Sequence, residues 1–226
     1  GVTWHDGKPF SAKDVQCTWD MLQGKRKAKM RKNPRKAWYK NLEKVTTDGN
    51  LKATFHLKRP QPAFLALLAS GYSPVYPCHV TPKKMRTHPV GTGPFKFVSL
   101  KQNEHVKFTK NQNYWKKGQP YLDGVEWTII KSRATRVLAF IAGKFDMTFN
   151  VDVTVPLLKE VKSQAPHAIC ELVTTNVSTN LIVNQFKPPF DNAKIRKAMV
   201  LAIDRQAFID ILSEGQNVQG GAVMPP

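Results

Sequence analysis

The chain has 226 residues and a net charge of +19, and 41% of its residues are hydrophobic. This composition allows a buried core and excludes global disorder, and no apolar run approaches the roughly 18 residues that span a bilayer. The cysteines, Cys17, Cys78 and Cys170, lack metal-binding spacing, so we interpret them as small core residues.

The first part of the chain predicts a helix, a hairpin and a second helix. The run "FSAKDVQCTWDMLQG" is typical of a helix that begins with a capping box, formed by Ser11 and Asp14, and ends at Gly24. In "LEKVTTDGNLKATFHLKRP", the pair Asp48 and Gly49 predicts the turn between two antiparallel strands. The apolar run "PAFLALLAS" then predicts a buried helix.

Positive charge is densest in "GKRKAKMRKNPRKAWYK", residues 24–40, which we interpret as a loop ending in a short helix near Trp38. A solvated basic loop is one interpretation. A nucleic-acid surface is the other, with Trp38 and Tyr39 stacking on bases. The run contains no recognised reading module and Pro34 interrupts it, so we predict no nucleic-acid partner. An anionic lipid surface would also attract this charge.

The run "HPVGTGPFKF" raises the question of a phosphate-binding loop. Gly93 is followed by Pro94 and a strand-like run, whereas such a loop requires a helix and characteristic polar residues. We therefore predict a bend that leads into a strand.

The rest of the chain alternates strands and helices, which indicates an α/β architecture. The predicted strands are "KFVSL", "HVKFTKN", "VEWTII", "FDMTFN", "AICELV" and "NLIVNQ". The predicted helices are "SRATRVLAFIAG", "VPLLKEVKSQ", "DNAKIRKAMVLAI" and "DRQAFIDILSEG", the last two each opened by an aspartate. The six histidines are scattered and no nucleophile motif is present, so we predict neither an enzyme nor a bound metal or cofactor.

Five motifs occur in order along the chain: "GVTWHDGKPFSAKDV", "PVGTGPFKF", "NQNYW", "FDMTFN" and "FDNAKIRKAMVLAIDR". This series resembles the bacterial extracytoplasmic solute-binding proteins of ABC transporters, in the class that binds oligopeptides, dipeptides and nickel. The resemblance covers essentially the whole chain.

The resemblance implies an α/β, two-lobed periplasmic binding protein fold with an extra subdomain in lobe one. It implies that residues 1–89 form the extra subdomain and residues 90–177 the main sheet of lobe one. Residues 178–226 would hold the crossing strand and the start of lobe two. The chain would then be an internal fragment that lacks the start of lobe one and most of lobe two.

The resemblance also implies a function: the ligand-capturing component of an ABC importer, which binds di- or oligopeptides between its lobes and delivers them to a membrane permease. Such a protein would be a monomer in the periplasm or another extracytoplasmic location, with or without a membrane tether. The alternatives are a nickel chelate, a sugar or an opine as the solute, since one fold serves many ligands.

Two segments match regions that border the ligand cleft in this family. One is the end of "FDMTFN", with Phe149 and Asn150, and the other is the crossing segment, with Ser178, Thr179 and Asn180. The crossing positions are often tyrosines in peptide binders, so small polar residues there would widen or wet the pocket. The alternative is that Asn150 caps the helix "VPLLKEV" and that residues 178–180 only bridge the lobes.

Overall fold

The computed structural model describes residues 1–27, 36–149, 151–173 and 180–217, which fall into two compact units, 1–129 and 130–226. The N-terminal unit contains α1 (Ala12–Gln23), a 3-10 helix (Lys36–Tyr39), β1 (Leu42–Asp48), β2 (Lys52–Leu57), α2 (Phe64–Ala69), α3 (Pro82–Met85), β3 (Phe95–Lys101), β4 (His105–Lys110) and β5 (Gly124–Thr128). The C-terminal unit contains α4 (Arg133–Ile141), α5 (Val155–Gln164), α6 (Ala193–Ala202) and α7 (Arg205–Ser213).

Helix α1 begins and ends as its sequence predicts. The capping box is present, because the Asp14 carboxylate accepts a hydrogen bond from the Ser11 amide at 3.0 Å. The helix ends at Gly24, whose φ of 78° is accessible to glycine without steric cost. These local signals fix the helix ends.

The core of the N-terminal unit lies where α1 packs on the predicted hairpin. Strands β1 and β2 pair antiparallel across the turn at Gly49. Trp19 of α1 is 2% exposed and places its ring edge-on against Tyr39 and Phe55, with centroid distances of 6.1 and 5.0 Å. Burial of such large aromatic surfaces is the main stabilising contribution here.

The 3-10 helix confirms the predicted short helix near Trp38, while residues 28–35 of the basic run lie outside the described residues. Tyr39 is 4% exposed, so it is not available to stack on bases. Trp38 is partly exposed and packs edge-on against Tyr72.

The segment from Gly91 to Gly93 is a bend that enters β3, as predicted, and a histidine bridges it. The His5 ring accepts a hydrogen bond from the Gly91 amide at 3.1 Å and donates one to the Gly93 carbonyl at 3.0 Å. Burial lowers the pKa of His5, and the nearby Lys96 charge lowers it further. Strands β3, β4 and β5 follow as an antiparallel sheet in that order.

Asp14 holds three separate segments of the N-terminal unit together. Its carboxylate is 8% exposed and accepts hydrogen bonds from the Trp4 indole at 3.3 Å, the Ser11 amide and the Cys78 amide at 3.3 Å. A buried carboxylate needs such donors to offset its lost hydration.

Of the three cysteines interpreted as small core residues, Cys17 is buried as expected, at 5% exposed, whereas Cys78 and Cys170 are only partly buried. Cys17 of α1 and Cys78 form a disulfide across 61 residues of sequence, with Cα atoms 6.3 Å apart. Cys170 is a free thiol. Sequence spacing could not reveal this bond, because the chain brings the two cysteines together only through the tertiary fold.

Three predicted strands of the C-terminal unit are also wrong. "FDMTFN", "AICELV" and "NLIVNQ" form no ladder among their described residues. Ile169 and Ile182 are about nine-tenths exposed, at 91% and 89%. Alternation indicates which side chains share a face, whereas a strand also needs hydrogen-bonded neighbours, and the described residues supply none here.

The four helices found among the described residues of the C-terminal unit are those predicted, with one difference in their caps. Asp204 caps α7 and accepts a hydrogen bond from the Ala207 amide at 3.0 Å, as expected. Helix α6 is capped by Asn192 rather than by the aspartate before it. Within the described ranges, no helix is long and apolar enough to cross a membrane.

The disulfide yields a stability prediction. Replacing Cys17 and Cys78 by serine should lower the free energy of unfolding by about 4 kcal/mol, since a bond closing a loop of this length restricts the unfolded chain. Thermal melts followed by circular dichroism measure the loss, and Cys170→Ser is the control that should melt like the wild type. Equal melting of all three proteins would show that the bond contributes nothing.

Candidate functional site

The candidate site in the C-terminal unit is a loop between α4 and α5. Helix α4 begins at a Ser132 cap, whose hydroxyl accepts from the Thr135 amide at 3.3 Å, and it is followed by Gly143 at a φ of 68°. The chain then runs through residues 144–149 without regular structure. Its path is therefore fixed by side chains rather than by a sheet.

One ion pair fixes the end of this loop. The side chain of Asp152 is only 3% exposed, and Arg136 of α4 donates two hydrogen bonds to its carboxylate. Nε of Arg136 donates to Oδ2 of Asp152 at 3.0 Å, and Nη2 of Arg136 donates to Oδ1 of Asp152 at 2.6 Å. Thr148 adds a hydroxyl donor to Oδ2 at 3.1 Å. A bidentate guanidinium–carboxylate pair fixes orientation as well as distance.

A second arginine of the same helix holds the backbone of the loop. Arg133 donates from Nη2 to the Val151 carbonyl at 2.6 Å and from Nε to the Asp152 carbonyl at 2.8 Å. The Asp152 amide in turn donates to the Phe149 carbonyl at 2.9 Å. Together Arg133, Arg136 and Asp152 form what we call the arginine clamp, which holds the loop to α4.

The electrostatics of the clamp follow from this geometry. Hydrogen bonds from the Arg136 guanidinium lower the pKa of Asp152 below its ordinary value, although burial acts in the opposite direction. The same bonds raise the pKa of Arg136. The pair therefore remains charged at neutral pH.

The held loop presents apolar side chains around position 150. Phe149 is 61% exposed, Val151 is 69% exposed and Met147 is 83% exposed. Loops positioned by a rigid element commonly carry binding groups. Because Arg133 holds the carbonyls of Val151 and Asp152, the exposed Val151 side chain lies at a defined position beside α4.

The structure describes two of the five predicted site residues. Phe149 lies in the loop held by the arginine clamp, and Asn180 lies exposed in a segment without helix or strand. Asn150, Ser178 and Thr179 lie outside the described residues. Thr154, not Asn150, occupies the cap position of α5, so the interpretation of Asn150 as a helix cap is wrong.

Sequence reasoning missed the residues of the arginine clamp. A usable signal existed, since Arg133 and Arg136 are three residues apart and so lie on one face of a helix. The loop that they hold contains two acids, Asp146 and Asp152, and the structure pairs Arg136 with Asp152. The sequence does not show that this carboxylate is buried, and burial is what makes the pair specific.

A metal centre is not apparent in the part of the chain that the structure describes, where no three His, Cys, Asp or Glu side chains cluster as ligands would. The carboxylate of the clamp is fully engaged by arginine and threonine donors. The site can therefore offer apolar contact and backbone or amide hydrogen bonds.

Comparison with known proteins matches the whole chain to one family model. Residues 1–226 match the model described as bacterial extracellular solute-binding proteins, family 5 Middle. The glutathione-binding protein GsiB of Salmonella paratyphi A is 29% identical over 230 residues, and that of Pectobacterium atrosepticum is 28% identical over 233. Each alignment covers 100% of this chain and 43% of the relative, so the chain spans less than half the length of these curated relatives.

Solved structures share the fold. The oligopeptide-binding protein AppA of Bacillus subtilis, in complex with a nonapeptide, aligns with a TM-score of 0.78 and 26% identity over 100% of this chain and 45% of that one. MoaA of A. tumefaciens R10, in complex with mannopinic acid, aligns with a TM-score of 0.81 and 24% identity. That alignment covers 99% of this chain and 45% of MoaA. NikZ of Campylobacter jejuni, in complex with Ni(L-His), aligns with a TM-score of 0.73 and 21% identity. That alignment covers 92% of this chain and 41% of NikZ. These similarities confirm the predicted class, an α/β periplasmic binding protein fold.

The clamp predicts a specific dependence of stability on pH. Because the folded pKa of Asp152 lies below its unfolded value of about 3.9, its contribution is present above that pH and is lost as the pH falls through the folded pKa. Asp152→Asn should melt below the wild type at pH 7, and the two melting temperatures should converge toward pH 3.

Circular dichroism melts at pH 7, 5 and 3 measure this convergence. The matched control is Asp210→Asn, which neutralises an exposed carboxylate of α7. A constant difference between Asp152→Asn and wild type at every pH would contradict a stabilising charge on Asp152.

Proposed function

Because the chain belongs to the family 5 bacterial extracellular solute-binding proteins, we propose that the whole protein is the ligand-capturing component of an ABC importer. It binds a solute between two lobes outside the cytoplasm and delivers it to a membrane permease. The family consists of solute-binding proteins for transport rather than enzymes, which confirms that the chain is not an enzyme.

The match of all 226 residues to the family carries this proposal, and the loop held by the arginine clamp supports it. Phe149 and Asn150 at this loop contribute an apolar and an amide contact to the solute, and Ser178, Thr179 and Asn180 contribute polar groups from the crossing segment. Residues 1–89, 90–177 and 178–226 serve as the extra subdomain, the main sheet of lobe one and the start of lobe two. This division stays a prediction.

We favour a peptide as the solute. AppA is described in complex with a nonapeptide, and GsiB is described as a glutathione-binding protein, glutathione being itself a peptide. Exposed apolar groups such as Phe149 and Val151 suit variable side chains, while amides suit a peptide backbone.

A non-peptide solute is the second candidate. MoaA is described with mannopinic acid and NikZ with Ni(L-His), and they share the fold over 99% and 92% of this chain. A nickel chelate, an opine or a sugar would fit the same importer role. Residues 178–180 are small and polar, whereas peptide binders often carry tyrosines at these positions. This difference favours a non-peptide solute.

Uptake requires the ligand to shift the protein between an open and a closed state. A solute closes the lobes only by binding the closed state more tightly than the open one. The closed monomer then docks on its permease. Net positive charge alone specifies no nucleic-acid partner, because charge attracts any anion.

Native mass spectrometry of the intact protein, purified without refolding, tests the proposal. We expect a retained mass that fragments into amino acids, which would establish a peptide carrier and the peptide length. A retained chelate, opine or sugar would keep the importer role and replace the peptide. An empty protein that shifts in mass only with added oligonucleotide, in a salt-sensitive manner, would contradict the proposal.

A further inference from the structure

A cavity of about 220 Å³ opens in the N-terminal unit, between the N-terminal turn, α3 and β3. Every titratable residue that lines it is basic: His5, Lys84, His88 and Lys96. Phe97 and Val98 of β3 give it an apolar wall. All residues that line the cavity belong to the N-terminal unit.

Lys96 differs from the other lysines of its sheet. Lys101 pairs with Glu104 at 2.8 Å, Lys107 with Glu126 at 3.1 Å and Lys110 with Asp123 at 4.0 Å. Lys96 is half-buried and has no carboxylate partner among residues 1–27, 36–149, 151–173 and 180–217. Lys96 is therefore available to pair with an anion that enters the cavity.

The surroundings of the cavity reinforce the positive potential. No acidic residue occurs between Asp48 and Glu104, the stretch that contributes Lys84, His88 and Lys96. One acid acts on the cavity: the charge of Asp6 favours a higher pKa for His5, although its carboxylate is also hydrogen-bonded to His79 at 2.6 Å. Lys84 likewise pairs with no carboxylate in the described part of the chain.

The two histidines have different parts in the cavity. Both ring nitrogens of His5 are hydrogen-bonded, to the Gly91 amide and the Gly93 carbonyl. The ring therefore lines the cavity without a nitrogen left to bind a ligand. His88 places Nδ1 3.1 Å from the Thr87 hydroxyl and its ring 6.0 Å from that of Phe97, which leaves Nε2 as its second hydrogen-bonding atom.

We propose that this cavity binds a phosphate group, held between the ammonium groups of Lys84 and Lys96. Two lysines on separate elements match the two negative charges and several oxygens of a phosphate, whereas a single carboxylate would leave one lysine uncompensated. The volume exceeds that of one phosphate, so a phosphomonoester can place its organic part on Phe97 and Val98. The same group could be free in solution or belong to a lipid such as phosphatidic acid.

The test uses the intact protein, a phosphate-free chloride buffer and inorganic phosphate in isothermal titration calorimetry. We expect saturable binding of one phosphate, weakened at least about tenfold in the double variant Lys84→Gln/Lys96→Gln. The matched control is Lys13→Gln/Lys44→Gln, which removes the same charge from two exposed lysines away from the cavity. The variants are compared after melting curves have shown that each is folded.

A vesicle arm distinguishes the two sources of phosphate. Flotation with phosphatidylcholine vesicles containing phosphatidic acid should retain the wild type and the control, but not the cavity variant, if the lipid is the ligand. Binding of inorganic phosphate without such retention assigns the cavity to a free phosphate. If neither probe separates the cavity variant from its control, general positive charge explains all binding and the proposal is wrong.

Discussion

The candidate site depends on one buried ion pair, between Arg136 of α4 and Asp152 at the end of the following loop. Taking a carboxylate out of water costs several kcal/mol, and two guanidinium bonds with one threonine hydroxyl offset that cost only in a narrow geometry. The end of the loop at Asp152 is therefore oriented relative to α4. Phe149 and Val151 are exposed next to it, and no described strand pairs with this segment.

The N-terminal unit applies the same principle with Asp14. This buried carboxylate accepts hydrogen bonds from Trp4, Ser11 and Cys78, which joins the chain start, α1 and the segment after α2. The disulfide at Cys78 adds a covalent link to the same helix. In both units, an acid surrounded by donors fixes irregular backbone, and this matters in a chain with 16 acids against 35 basic residues.

Local features could be predicted from the sequence because their causes are local. The capping box of Ser11 and Asp14, the turn at Gly49 and the bend before β3 each depend on a few neighbouring residues. Features that depend on distant partners could not be predicted. The Cys17–Cys78 bond requires the tertiary fold, and "NLIVNQ" has the short apolar run of a strand without a described neighbour to pair with. The arginine clamp was missed because sequence does not report that Asp152 is buried.

In the proposed function, the loop held by the arginine clamp is part of the solute site. The most direct test is the affinity of the intact Asn150→Ala protein for the solute that co-purifies with the wild type, measured by calorimetry. We expect the affinity to be weakened at least about fivefold, the effect of losing one or more hydrogen bonds, with a nearly unchanged melting temperature. Unchanged affinity would contradict it and would remove this loop from the site.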